Sequence, residues 1–210
     1  MLLAIDTSAG TSVAVVDRER GVLAERSSAD TRGHAEIIGT FIAECVAESG
    51  VPVAALSGIV AGMGPGPFTG LRVGIAAAQA FALGAGAPLV RVVSHDAIAF
   101  AHYSAGAAGP LLVVTDARRR EVYWSAYRGS DDAGIPERAE PAGLSRPDDL
   151  VSAVAGYASY KRLDAAEVSA AALGLLAEAM HAGGRSFAGA APLYLRAPDA
   201  VASAGPKRVS

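Results

Sequence analysis

Three stretches of this chain carry residue types that could do chemistry. Asp6-Thr7-Ser8 puts a carboxylate and two hydroxyls at the end of the apolar run Leu2–Ile5, and Asp116 closes the run Leu111–Thr115 in the same way. Two carboxylates, each ending a strand that opens a unit, could flank a metal-bound phosphate lying between two lobes. Singly, an Asp in such a place accepts the backbone N–H groups of its own turn. The third stretch, Gly62-Met63-Gly64-Pro65-Gly66-Pro67-Phe68-Thr69-Gly70-Leu71-Arg72-Val73-Gly74, is a glycine-rich turn entering a helix. Free N–H groups and the helix dipole favour an anion there. It lacks the Lys-Ser/Thr of a Walker loop and the Rossmann glycine spacing. Pro65 and Pro67 also remove two donors, so a turn shaped for packing is favoured over a phosphate cradle. If a nucleotide binds, its phosphate side falls on Asp6, Thr7, Ser8, Gly66 and Asp116.

Histidine and arginine complete the candidates. His95 would begin a helical His-x-x-x-His metal pair, but the second position is Ala99; Asp96 and His102 are its near neighbours, while His34 and His181 lie far along the chain. That set falls short of the ligands a resident metal takes, so no metal is expected. Arg118-Arg119-Arg120 is a compact basic turn, which reads first as a solvated hairpin tip and second as a contact for RNA phosphates. Cys45, the single cysteine, sits among Ile38, Phe41, Ile42 and Val46 and reads as a core residue.

These residues need scaffolding, and the hydrophobic pattern supplies it. Leu2–Asp6, Ser12–Asp17 and Val22–Ser27 read as strands separated by turns. His34–Glu48 repeats apolar residues at the three-to-four spacing of an amphipathic helix, stopped by Gly50 and Pro52. Ser57–Met63 reads as a buried strand, Phe68–Gly84 as a helix, Leu89–Val93 as a strand and Asp96–His102 as a short helix. A second unit opens with strands Leu111–Thr115 and Glu121–Tyr127 around the Asp-Ala-Arg turn. Residues 128–147 read as irregular surface, Ser169–His181 as a helix, Leu193–Arg196 as a short extended element and Ala197–Ser210 as a frayed end. Two units with the same opening suggest a duplicated α/β lobe, divided as 1–103 and 104–210.

The chain has 210 residues, 51% hydrophobic and 19% charged, with a net charge of −3, which excludes wholesale disorder. It also argues against gripping nucleic acid unaided, since phosphate neutralisation needs a basic face. The longest apolar stretch, Val73–Val90, is broken by Gln79, glycines and Pro88, and reads as a core helix and turn rather than a membrane span. No membrane partner is expected, and the location expected is cytoplasmic.

On the helix 68–84, Gly70, Gly74, Ala78, Ala82 and Gly86 recur every four residues, so another backbone can approach closely. That neighbour is either the sheet beneath or a second protein. With the apolar face of the preceding helix, the interface reading names Ile38, Phe41, Ile42, Gly70, Leu71, Gly74 and Ala78.

Together these segments resemble the bacterial TsaB (YeaZ) family. The resemblance rests on Leu3-Ala4-Ile5-Asp6-Thr7-Ser8, His34-Ala35-Glu36, Gly64 to Gly74, Asp116-Ala117-Arg118-Arg119-Arg120-Glu121-Val122-Tyr123-Trp124 and Pro192-Leu193-Tyr194-Leu195-Arg196. It implies an actin-like ATPase (ASKHA) fold: two RNase H-like α/β lobes with mixed sheets flanked by helices. It implies a non-catalytic subunit of the complex making threonylcarbamoyladenosine next to the tRNA anticodon, scaffolding and activating the transferase TsaD as a heterodimer, with TsaE joining. Transfer RNA would be reached through the complex, and ATP or ADP bound at most weakly or in the complex. The same face could form a homodimer when the chain is alone. TsaD is a paralogue with a His-x-x-x-His metal pair, whose second His is replaced here by Ala99, and the turn Ala155-Gly156-Tyr157 carries one glycine where the family has a pair. The alternative is a small-molecule kinase or ATPase of the same fold, with Asp6 and Asp116 beside the metal.

Overall fold

The computed structural model describes residues 1–196; the frayed end expected over 197–210 lies outside the described residues. The first sheet has strand order β3-β2-β1-β4-β5, from β1 (Leu2–Asp6), β2 (Thr11–Asp17), β3 (Gly21–Ser28), β4 (Gly58–Gly62) and β5 (Leu89–Val92). β1 and β2 form an antiparallel hairpin, and β4 joins the other side of β1 in parallel. Helices α1 (His34–Ser49) and α2 (Phe68–Ala85) cover one face. Alternation along each strand sorts the side chains. Leu3, Ile5, Val13, Val15, Ile59 and Ala61 meet α1 and α2, while Leu2, Ala4, Ala14, Val16 and Val60 point to the opposite face, as the two-residue period of a strand requires.

The second sheet repeats the plan in shortened form. β6 (Leu111–Asp116) and β7 (Val122–Ser130) make the hairpin, and β10 (Lys161–Asp164) adds to β6 in parallel. Residues 128–147 are more ordered than expected: β8 (Pro136–Arg138) and β9 (Gly143–Ser145) both pair with β7. These strands are too short to show alternation, and register with β7 holds them. α4 (Leu150–Ala153) puts Leu150 against Leu112, Val114 and Trp124.

The linear boundary at 103/104 separates the strands of the two sheets, but the helices do not follow it. α3 (Ser94–Ser104) comes from the first sheet yet packs on β6, β7 and β8, and α5 (Ala170–Ala182) returns from the second half to lie across β1 and β2. One apolar cluster therefore joins Ala4 and Val16 of the first sheet, Leu111 and Tyr127 of the second, and both helices. Side chains from three elements meet the first N–H groups of α5: Ser12 Oγ accepts from Ala170, Glu25 Oε1 from Ala171 and Ser169 Oγ from Ala172, satisfying donors that a helix start leaves open.

Among the described residues α2 alone is long and apolar enough to cross a bilayer by length and composition. In the fold its Leu71, Gly74, Ile75, Ala78 and Ala82 are buried. Cys45 is fully buried, donates to Val13 O at 3.2 Å, and burial pushes its thiol up to about 11, in keeping with a core role. Leu193–Arg196 forms no strand; it runs as a strap along the glycine-rich turn, with Leu193 N donating to Met63 O.

Candidate functional site

The expected phosphate-side residues divide. Asp6, Thr7, Ser8 and Gly66 come together where β1 ends, and all four are buried. Asp6 Oδ1 accepts from Ser8 N at 2.8 Å and Ser8 Oγ at 2.6 Å, and Oδ2 accepts from Ser94 Oγ at 2.5 Å. Ser94 Oγ in turn accepts from Gly64 N at 2.9 Å. A Cβ on Gly62 would lie 1.8 Å from Asp6 Oδ2, and one on Gly66 would lie 2.8 Å from Ser8 Cα. Both glycines are therefore required by close packing. Asp116 is exposed, accepts from Arg118 N, and has no hydrogen bond to Asp6.

Both carboxylate oxygens of Asp6 accept from internal donors, and the backbone of Ser8 closes against Gly66. Burial pushes the Asp6 carboxyl above its ordinary range, against the lowering effect of the bonds from Ser8 and Ser94. The residue acts as an anchor that ties β1, the glycine-rich turn and the start of α3 together. Ser94 was not among the sequence candidates; its position just after a strand and before His95 was the available signal.

His95 is enclosed in the same way. Its Nδ1 lies 2.8 Å from Ser125 Oγ and its Nε2 2.9 Å from Thr115 Oγ1, and burial holds the imidazole down at about 3. A neutral ring satisfies both hydroxyls, one nitrogen donating and the other accepting. Ala99 is fully buried on the next helical turn. Among the described residues no group of three His, Cys, Asp or Glu side chains could hold a metal ion. Beside His95, Asp96 takes a bidentate contact from Arg138 at 2.8 and 2.6 Å and a bond from Tyr127 OH at 2.8 Å, which ties α3 to the second sheet.

The small-residue stripe of α2 is a seam within the chain. A Cβ on Gly70 would lie 2.8 Å from Thr7 O, and one on Gly74 would lie 2.2 Å from Thr7 Oγ1. Leu71 and Ala78 are also fully buried. Gly70, Leu71, Gly74 and Ala78 are thus not surface residues, a correction to the interface expectation: the close neighbour is Thr7 at the end of β1. Ile38 is 7% exposed, while Phe41 and Ile42 are partly exposed. The open apolar surface lies further out, in a groove of about 450 Å³ between α1 and α2 lined by Gly39, Ile42, Val53, Ala77, Ala80 and Phe81, among others. Leu83, 86% exposed, is on the same helix.

Arg118, Arg119 and Arg120 all have left-handed backbone, with φ of 65°, 55° and 61°. Three consecutive non-glycine residues in that region are uncommon. Bonds from Ala117 N to Glu121 O and from Glu121 N to Arg118 O close the turn. Arg118 crosses to Thr31 Oγ1 in the segment before α1, and Arg196 binds Ala117 O and Glu121.

Two mixed sheets built on one plan, joined by exchanged helices, define a two-lobed α/β protein of the ASKHA class. A family model described as TsaD, tRNA N6-adenosine threonylcarbamoyltransferase, matches residues 10–139. An uncharacterised protein of Mycobacterium tuberculosis (strain H37Rv) is 38% identical over 202 residues, covering 95% of this chain and 93% of that protein. The TsaB protein of Escherichia coli K12, named for tRNA threonylcarbamoyladenosine biosynthesis, is 32% identical over 147 residues, covering 70% of this chain and 63% of that protein. The solved structure of YeaZ from Pseudomonas aeruginosa superposes with a TM-score of 0.72 at 27% identity, covering 87% of this chain and 92% of that one. The chain belongs to this family, on its TsaB (YeaZ) branch.

Proposed function

We propose that the chain is a non-catalytic subunit of the machinery that makes threonylcarbamoyladenosine in tRNA, holding and activating the TsaD transferase. The observation that carries this reading is the enclosure of His95. The histidine that would begin the metal pair of TsaD has both nitrogens committed to Thr115 and Ser125, and the second position is Ala99. A metal-dependent transfer then belongs to the partner. The filled space at Gly66 and the committed oxygens of Asp6 support weak ATP or ADP binding by the chain alone, with any firm binding in the complex.

TsaD docks on the outer edge of α1 and α2, around Ile42, Ala77, Ala80, Phe81 and Leu83, because an apolar surface of this kind usually marks a partner site. Two copies of the chain can use the same edge when TsaD is missing. TsaE joins the assembly, and tRNA is held through it, with the 118–120 turn contributing a few phosphate contacts. The work takes place in the cytoplasm, where tRNA is modified.

Reconstitution tests the reading. TsaD and TsaE should modify tRNA faster with the chain than without it, and the chain alone should neither modify tRNA nor hydrolyse ATP over many turnovers. Hydrolysis by the pure chain that disappears in Asp6→Asn would overturn the proposal.

A further inference from the structure

Near the glycine-rich turn, Phe68, Arg72 and Tyr194 form a cluster at the edge of the α1–α2 core, against which Tyr194 also packs. The Phe68 and Tyr194 rings meet at 4.8 Å between centroids with an interplanar angle of 46°, and both are partly exposed. The exposed Arg72 lies with its guanidinium 3.8 Å from the Phe68 centroid, its Nε 3.4 Å from Tyr194 OH. The strap that carries Tyr194 continues to Arg196, which is bound to Ala117 O. Two residues of chain span about 7 Å, so the strap that carries Tyr194 also reaches the base of the 118–120 turn. Among the described residues no ion pair takes up the charge of Arg72, Arg118 or Arg120.

We propose that Phe68, Arg72 and Tyr194, with Arg118 and Arg120, form a binding platform for an unpaired stretch of RNA. This rests on the tRNA reading above and names the surface involved. Every base has a π face, so stacking on aromatic rings and guanidinium planes accepts single strands regardless of sequence. Exposed Arg72 adds a guanidinium group beside those rings, 3.8 Å from the Phe68 centroid. Arg118 and Arg120, on the turn that the same strap touches, would meet the backbone phosphates. An acidic peptide would engage the charge of Arg72 and leave the aromatic faces beside it unused. A paired duplex hides its base faces and gains only the charge term.

Binding of the full chain to a labelled single-stranded oligoribonucleotide at low ionic strength tests this, with the duplex of the same sequence and an acidic peptide as competitors. The single strand should compete best. Tyr194→Leu and Arg72→Ala should each weaken it about fivefold or more while Tyr194→Phe retains it, from the size of base–aromatic stacking. Arg118→Ala with Arg120→Ala should flatten the log–log salt slope by about 0.7 for each charge removed, and Tyr194→Leu should leave that slope alone. Circular dichroism checks folding, and Arg72→Ala, at an exposed position, decides the matter if Tyr194→Leu does not fold. No binding of the single strand, equal binding of single strand and duplex, preference for the peptide, or indifference to Arg72→Ala would each overturn the platform. The assay reads RNA binding without TsaD. A chain that binds in this way yet fails to support modification sinks the proposed function alone, and one that supports modification without this binding sinks the platform alone.

Discussion

Thr7 Oγ1 stands inside the hydrogen-bond ladder of α2, accepting from Gly74 N at 3.0 Å and donating to Gly70 O at 2.7 Å. These are the two groups that an uninterrupted helix joins directly. Gly74→Ala would drive a methyl into Thr7, and overpacking of this kind costs about 1–3 kcal/mol. Denaturant midpoints should show that loss, and Thr7→Ala in the same chain should recover part of it, because coupled neighbours are not additive. Full additivity of the two changes would show that the seam is looser than its geometry.

Acid stability should follow His95. Its folded value of about 3 lies below the ordinary 6.5, so the native state binds fewer protons than the unfolded chain between those values. The stabilisation is present above the ordinary value and is lost as pH falls through the folded one. His95→Gln can bond both hydroxyls without titrating, and urea midpoints across that window should show a flatter acid limb. Asp6 works in the opposite sense. Its raised folded value gives stability that is full below the ordinary 3.8 and lost as pH rises, so Asp6→Asn should gain on the wild type toward neutral pH.

The outer edge and the inner seam of α2 should respond differently to mutation. Leu83→Glu or Ala80→Glu should leave the circular dichroism unchanged and weaken TsaD capture by about tenfold or more, the scale of a central interface residue. Gly74→Leu should lose the fold before it loses the partner. Unchanged capture by the two glutamate variants would move the docking face elsewhere.

At the 118–120 turn, glycine and alanine replacements remove the same charge but differ in backbone strain. Left-handed backbone costs an L residue about 1–2 kcal/mol, and alanine keeps that penalty while glycine does not. The triple glycine variant should melt higher than the triple alanine variant, and both should reduce modification by the assembled complex to the same extent. Different modification rates would mean that the shape of the turn matters beyond its charge.

The strands and long helices were legible because each carries a periodic apolar pattern, and the helix starting at Phe68 was placed where it is found. β8 and β9 were not legible. Three residues cannot show alternation, and Gly143 lies where a Cβ would come within 2.2 Å of the Trp124 ring, a constraint set by the partner strand. In the candidate site the every-fourth small residue announced a close neighbour without naming it. The neighbour is Thr7, 67 residues before Gly74, beyond the reach of any local pattern. The cluster of Phe68, Arg72 and Tyr194 was hidden for the same reason, because the strap from the end of the described chain has to fold back before it exists.

The exchange of α3 and α5 between the sheets bears on how the protein is made. As the chain leaves the ribosome, the first five strands can pair and α1 and α2 can cover one side. Leu2, Ala4, Ala14, Val16 and Val60 on the other side wait for a helix that begins at Ala170. Until then the nascent protein shows an oily sheet to its surroundings, the kind of surface that chaperones hold and that aggregates. Translation of most of the gene therefore precedes the core on that second face, and a ribosome stalled between the two halves would release an insoluble product rather than a working lobe.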